Sequence, residues 1–516
     1  MRYAVTSAVV GALLLGTAQV GGAVATTDGT RATAGAVAAT QEPATAADVR
    51  PRMVGYLDPL GDVRDGPVPE GGPLSRQISE ELDSPWLGPT NRRSIAVRDA
   101  LTGESLADRH SGRPVTPAST TKLLSAAAIV TALDPATTFT TRVVAGERPD
   151  EVVIVAGGDM LLADGGGDPE AVAGHAGIGD LAAQTAEALR SGTGGSGAGV
   201  DGASVTTDDA HGGSTAAPGA EETGPVTVSL DLSHVPGPTA MPTWSEHWVA
   251  EGWTGRIVQL GRSTDRALPF NPSPREPEQE VARVFRQALA DQGLRVVGID
   301  GGDDDGGGGV RAEVVSAAPG AMELASVESA ALRDVLALAS ATSDNAMFEQ
   351  LTRQAAVAAG RSQDQESVTA WIRETMTEDF GLDLTGMRIA DASGLSDGSL
   401  LSMEVVAEVL AAGADGSHPH LQEVFAAGGL PIAGYTGTLG NGLRFHLPVH
   451  APAVGNARAK TGTLPGVTAL AGTVVTADGR LLVYAVAADD IETGSAALEA
   501  ASVLDEIVAQ LARCGC

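Results

Sequence analysis

Aromatic residues are scarce: Phe, Trp and Tyr make up 3% of the 516 residues, against 43% hydrophobic residues overall. The cores of a chain this long must therefore be packed mainly with Ala, Val and Leu, and its length suggests several domains. Cysteine occurs only as Cys514 and Cys516, which excludes a disulfide framework. In an oxidising compartment the two can pair with each other or with another chain, although their closeness strains a mutual bond. Positive charge is in deficit, with a formal net charge of −32, so nothing is available to neutralise a row of nucleic-acid phosphates. Beyond the N-terminus no apolar stretch is long enough to cross a bilayer.

The scarcest feature is lysine. Of the 33 basic residues only Lys122 and Lys460 are lysines, and the others are arginines. A coding bias explains the shortage but not where the two survivors sit. Guanidinium stays protonated in proteins, whereas a desolvated ammonium can lose its proton. A position that requires a neutral amine cannot accept arginine.

The first residues, MRYAVTSAVVGALLLGTAQVGGAVATT, combine Arg2, an apolar stretch from Ala4 and the small-residue site Ala23-Val24-Ala25. This is the pattern of a cleavable secretory signal over 1–25, with an uncleaved anchor as the alternative. No cysteine is near enough to carry a lipid. Residues 26–50 are rich in Ala and Thr without helical or strand period, and a linker is expected over 26–72.

The pattern then predicts a helix around Pro73 to Leu82 and a β-hairpin over Ser94 to His110 turning at Thr102-Gly103. A helix apolar on nearly all sides is predicted from about Ser119 to Leu133. The strands TTRVVAG and EVVIVAG follow, then helices over Gly179 to Ser191 and Glu278 to Leu294. Low-complexity runs, Gly192 to Gly224 and Gly301 to Gly309, read as flexible loops. From about Val327 the period is helical, and the chain ends in three strands, with a turn at Asp478-Gly479, and an amphipathic helix. The early hairpin and helix can join the late strands and helix in one α/β unit, leaving the middle as an insertion.

Three short motifs carry chemistry. Ser119-x-x-Lys122 puts a hydroxyl and an amine on one helix face, with Ser119 at the N-terminus, where free N–H groups favour a developing anion. A neutral Lys122 could take the Ser119 proton. Alone, the pair reads more readily as an N-cap serine and a snorkelling lysine. Ser343-Asp344-Asn345 falls between two helical patterns, and is either a proton relay with a carboxamide for a substrate amide or a polar turn that caps a helix. Lys460-Thr461-Gly462-Thr463 begins near the end of a strand pattern and offers donors for a carboxylate, or is an edge strand whose lysine discourages pairing.

Taken together, SxxK, SDN and KTG occur in the order found in penicillin-recognising enzymes, and both lysines fall on the two positions that need them. The chain resembles the serine D-Ala-D-Ala peptidases of the class C low-molecular-mass penicillin-binding proteins. VTPASTTKLLSAAA around the first motif, GGGDP at Gly165 to Pro169, DASGLSDGSLLS at Asp391 to Ser402 and GYTGTLGNGLR at Gly434 to Arg444 extend the resemblance over about Pro73 to Cys516. Ala392 departs from the glycine frequent in the family.

The resemblance implies an α/β (α+β) fold of the penicillin-binding-protein and β-lactamase type, an antiparallel sheet flanked by helices beside a helical lobe, with large inserted domains. It implies a transpeptidase-like catalytic domain over 73–142 and 317–516, one inserted domain over 143–163 and 243–316, and another over 164–242. It also implies a secreted DD-peptidase on the wall side of the membrane. Such an enzyme cleaves peptidoglycan stem peptides through a Ser119 acyl-enzyme, with Lys122 as base and Ser343 passing a proton to the leaving group. Asn345, Lys460, Thr461, Gly462 and Thr463 would bind substrate, with the Ser119 and Thr463 N–H groups as oxyanion hole. β-Lactams would acylate Ser119, and no metal or cofactor would be required. A β-lactamase or esterase on the same fold, or an inactive wall-binding relative, are the alternatives.

Two competing motifs are weaker. Gly394 to Gly398 fits G-x-S-x-G but lacks a preceding strand. The pairs His418/His420 and His446/His450 have no obvious third metal ligand, and Pro448 keeps the second pair off a shared helix face.

Overall fold

The computed structural model describes residues 66–192, 224–298, 310–440 and 442–515. The expected signal peptide lies outside them, as do most of the expected linker and of both low-complexity runs.

The chain enters through helix α1 (Gly71–Gln77), and a short helix at Ser79–Leu82 completes the expected N-terminal helix in two pieces. Strands β1 (Arg93–Asp99) and β2 (Ser105–Arg109) form the expected antiparallel hairpin. Asp99 closes its turn by accepting the N–H groups of Leu101 and Thr102 at 3.1 and 2.8 Å. Helix α2 (Thr121–Ala132) follows. Then come β3 (Thr140–Ala145), β4 (Glu151–Val155), α3 (Ile178–Arg190), β5 (Thr227–Asp231), α4 (Pro277–Asp291) and β6 (Glu323–Glu328). Helices α5 (Leu332–Thr342), α6 (Asn345–Ala358), α7 (Gln365–Glu378) and α8 (Met403–Ala414) form a helical layer. Strands β7 (Arg458–Leu464), β8 (Val467–Val475) and β9 (Leu481–Asp489) and helix α9 (Ser495–Arg513) close the described chain.

Early and late strands meet in one antiparallel sheet of order β2-β1-β9-β8-β7. Its central strand shows why it lies between helical layers. Along β9, Leu481, Val483, Ala485 and Ala487 belong to the core shared with α2 and α8. Leu482, Tyr484, Val486 and Ala488 belong to the opposite core, shared with α1 and α9. Period-two alternation with both phases apolar is the pattern of a strand covered on both faces.

Helix α2 is buried from Thr121 to Val130 and packs against α6, α7 and α8. Leu123, Leu124, Ile129 and Val130 each gain about 1.5–3 kcal/mol from burial, which outweighs the modest helix propensity of the threonines and serine among them. The small Ala126–Ala128 run admits close neighbours.

A second sheet, of order β5-β4-β3-β6, packs with α3 and α4 around a separate core. Here the topology differs from the expected divisions. β5, inside the expected 164–242 domain, pairs in parallel with β4 of the expected 143–163 segment. A parallel pair needs a crossover, which α3 supplies, so these segments share one sheet and one core. β6 pairs with β3, so strand rather than helix occupies 323–328 and the helical run begins at Leu332.

One buried ion pair ties the sheet's outer helix to the loop before β7. Arg444 Nε lies 3.0 Å from both Asp505 oxygens, and Asp505 also accepts the Phe445 N–H at 2.8 Å. Removing one partner of such a pair strands a buried charge. Asp505→Ala is therefore expected to lose about 3–5 kcal/mol of unfolding free energy in urea denaturation of the whole chain; a loss below about 1 kcal/mol would contradict the burial argument.

Candidate active site

The nucleophile candidate is built by a local departure from the expected helix. Ser119 lies in a 3₁₀ turn, Ala118–Thr120, which precedes the α-helix that begins at Thr121. Thr120 Oγ1 donates to the Pro117 carbonyl at 2.7 Å and Thr121 Oγ1 to the Ala118 carbonyl at 2.9 Å, so side chains tighten the turn. Ala118 has φ +47°, a left-handed conformation that costs a non-glycine residue on the order of 1–2 kcal/mol. Such strain gathers at functional sites. Opposite it, Gly394 (φ +74°) is compulsory, because a Cβ there would stand 2.0 Å from the Ala118 carbonyl oxygen.

Lys122 is fully buried, and its Nζ has three neighbours: Asn345 Oδ1 at 2.6 Å, the Ser393 carbonyl at 2.7 Å and Ser119 Oγ at 3.0 Å. The first two can only accept hydrogen bonds, whereas the hydroxyl can also donate. A neutral amine that donates to both carbonyls turns its lone pair towards Ser119. Burial is the main influence and lowers the Lys122 pKa to about 8, opposed by the negative charges of Asp391, Glu349 and Asp344.

The second motif occupies the junction of α5 and α6. Ser343 caps α5 in the left-handed conformation, and Asn345 opens α6. The capping and chemical readings divide between the residues. Asp344 is the N-cap, accepting the Met347 N–H at 3.0 Å and pairing with Arg266 at 3.0 Å, while Ser343 and Asn345 reach the two lysines.

Lys460 lies within β7, an edge strand, yet it is buried, so it is not a solvated guard against edge pairing. Its Nζ donates to Ser343 Oγ at 2.8 Å and to the Thr461 carbonyl at 2.9 Å. Burial, and then the charge of Lys122, hold its pKa well below the ordinary lysine value. Thr461 Oγ1 donates to Thr438 Oγ1 at 2.9 Å. Gly462 presses against the 3₁₀ turn that carries Ser119: a Cβ there would meet the Pro117 carbonyl oxygen at 2.7 Å and Ala118 Cβ at 3.3 Å. Thr463 follows on the strand, opposite Thr468.

Ser119, Lys122, Ser343, Asn345, Lys460 and Thr461 thus join in hydrogen-bonded pairs, with Gly462 and Thr463 following Thr461 on β7. Sequence reasoning gave no role to Glu349, Ser393 or Thr438, although Ser393 and Thr438 lie in the quoted stretches and Glu349 is one helical turn from Asn345. The competing Ser396 is buried beneath Thr243 and donates its N–H to Asp391 at 2.7 Å, which does not suit an exposed nucleophile elbow. His418 stacks on Phe380 at 3.9 Å, and His420 Nδ1 lies 3.2 Å from the Val130 carbonyl.

A helix-flanked antiparallel sheet with a serine and two buried lysines at its edge strand defines the penicillin-binding-protein and β-lactamase fold class. Penicillin-binding protein 4 of Haemophilus influenzae has a similar fold, with a TM-score of 0.59 at 16% identity, covering 84% of this chain and 98% of that one. A carboxypeptidase of Mycobacterium tuberculosis is 30% identical over 469 residues, 90% of this chain and 89% of that protein. The carboxypeptidase DacB of Mycolicibacterium smegmatis is 31% identical over 463 residues, 87% of this chain and 86% of that protein. Residues 74–219 and 261–511 match the D-Ala-D-Ala carboxypeptidase 3 (S13) family. The chain belongs to that family, among the class C low-molecular-mass penicillin-binding proteins, and is a serine-type D-Ala-D-Ala carboxypeptidase.

Gly462→Ala tests the close approach of β7 to the Ser119 turn. It is expected to reduce the rate of acylation by a penicillin about tenfold to a hundredfold, the range for a displacement near 1 Å at a reacting centre. Unchanged acylation kinetics would show that the contact is not needed.

Proposed function

We propose that Ser119 is the nucleophile and Lys122 its general base in cleavage of the terminal D-Ala-D-Ala bond of peptidoglycan stem peptides. The observation that carries this assignment is the set of Lys122 partners: two obligate acceptors and one hydroxyl. Ser119 Oγ bonds to the penultimate D-Ala carbonyl carbon while its proton moves to Lys122 Nζ. The C–N bond then breaks as Lys122 gives up the proton it accepted and the departing amine receives one through Ser343, whose hydroxyl Lys460 holds and polarises. Water attacks the resulting ester, releases the shortened peptide and restores Ser119.

Asn345 binds the substrate amide in this reading, and Thr461 and Thr463 bind the terminal carboxylate. The N–H groups of Ser119 and Thr463 stabilise the oxyanion, a role supported by the packing of Gly462 on Pro117 and Ala118. D-Ala–diamino-acid cross-links present the same acyl group and are candidate substrates. β-Lactams acylate Ser119 because ring opening mimics the scissile amide. Support comes from a relative in fold, the Haemophilus influenzae penicillin-binding protein 4, whose structure has been solved with a β-lactam. Residues 1–25 would direct the chain across the membrane to its wall substrate; among the described residues no helix is long and apolar enough to span one. β4 and β5 with α3 and α4 are read as an insertion into a catalytic unit of about 73–142 and 317–516, with β3 and β6 at the junction.

Fluorescent penicillin with intact mass and peptide mapping is expected to show a long-lived adduct on Ser119, absent from Ser119→Ala. Rapid loss of the adduct would mean a β-lactamase instead, and an adduct on another residue would overturn the assignment. Below its pKa Lys122 is an ammonium and cannot accept a proton. Acylation should therefore rise about tenfold per pH unit and level off above pH about 8. Lys122→Arg cannot shed its proton and should lose at least about a hundredfold; near-normal activity in that variant would exclude Lys122 as base.

A further inference from the structure

Lys122 is held from behind by a loop whose own anchors are two buried carboxylates. Glu349 lies one turn after Asn345 on α6, so both face the same side. Its Oε1 accepts the Ser393 N–H at 2.9 Å and its Oε2 the Ala392 N–H at 3.3 Å. Asp391 Oδ1 accepts the Gly394 N–H at 2.6 Å, and Asp391 Oδ2 accepts from Ser396 N–H at 2.7 Å and Trp244 Nε1 at 2.9 Å. On the opposite side of the same loop, helix α2 supplies the donors. Ser125 Oγ reaches the Ala392 carbonyl at 2.6 Å, and Lys122 Nζ reaches the Ser393 carbonyl at 2.7 Å.

Two consecutive peptides, 392–393 and 393–394, are therefore gripped at both ends. A carboxylate takes each N–H, and a side chain of α2 meets each carbonyl. A charged acceptor at the N–H end polarises a peptide and strengthens the carbonyl at its other end. Glu349 and Asp391 are both buried, and each divides the N–H groups it accepts between two carboxylate oxygens, where a neutral amide offers only one.

We infer that Glu349 is a positioning residue for the reaction: its carboxylate, by holding the Ala392 and Ser393 N–H groups, fixes the turn that aims the Ser393 carbonyl at Lys122. This rests on the reading of Lys122 as the base. The charged groups around the pair are Asp391 on the loop, Asp344 and Arg353 on α6, and Lys460 on β7. Burial and then the charge of Asp391 raise Glu349 to about 8, the region in which Lys122 titrates, so each group's proton occupancy responds to the other's.

Replacing Glu349 by a neutral group removes negative charge beside the amine and loosens its carbonyl partner. Both changes favour the neutral amine but spoil its aim. The test is the pH dependence of acylation by a fluorescent penicillin, measured on the full chain for wild type, Glu349→Gln and Glu349→Asp. Glu349→Gln is expected to move the acid limb down by about one pH unit while lowering the plateau rate at least about tenfold. Glu349→Asp, which keeps the charge on a shorter arm, is expected to lose rate with the limb in place. If Glu349→Gln does not fold, Glu349→Asp alone decides, and wild-type rates in it overturn the inference. Folded Glu349→Gln with the wild-type limb also overturns it, because a purely structural role lowers the rate without moving the limb. Absence of a Ser119 adduct in wild type would instead defeat the catalytic reading on which the inference rests.

Discussion

A buried amine with two carbonyl acceptors is the constraint on which the site depends. An ammonium placed beside Asn345 Oδ1, the Ser393 carbonyl and Ser119 Oγ has three acceptors for three protons, but desolvation opposes its charge. The neutral amine keeps the two better acceptors and offers its lone pair to the serine. Arginine satisfies neither condition. That accounts physically for a lysine at 122 in a chain that otherwise uses arginine almost throughout.

The fold supplies the conditions for that amine. Helix α2 is buried on nearly every side, which excludes water from Lys122. The α5–α6 junction brings Ser343 and Asn345 to the two lysines, and edge strand β7 closes the site because Gly462 permits contact with the turn that carries Ser119. Strain at Ala118 is retained because Gly394 and the hydroxyls of Thr120 and Thr121 hold the turn. The segment between β5 and α4 also reaches this region: Trp244 and Arg266 bond to Asp391 and Asp344, beside the residues that contact Lys122.

Much of this was legible because its determinants are local or compositional. Ser119 and Lys122 are related by helical spacing, the β1–β2 hairpin and the β7–β9 run by alternation and turn residues, and both lysines by their rarity. The 3₁₀ turn was not legible, since a left-handed Ala118 depends on a glycine far along the chain. Nor was the parallel pairing of β4 with β5, whose partners are separated by α3 and a low-complexity run that hides the crossover. Glu349 was not legible either, because its partners are backbone N–H groups, which carry no residue type to recognise. Its position one turn from Asn345 was the available signal.

The most direct test of the central claim uses the lysine shortage itself. Protein labelled with ¹³C at lysine Cε should give two side-chain resonances, assigned by the one that disappears in Lys122→Arg. The account predicts that the Lys122 resonance titrates near pH 8. Titration at the ordinary lysine value of about 10.4 or above would mean a permanently charged Lys122 and would contradict its role as the base for Ser119.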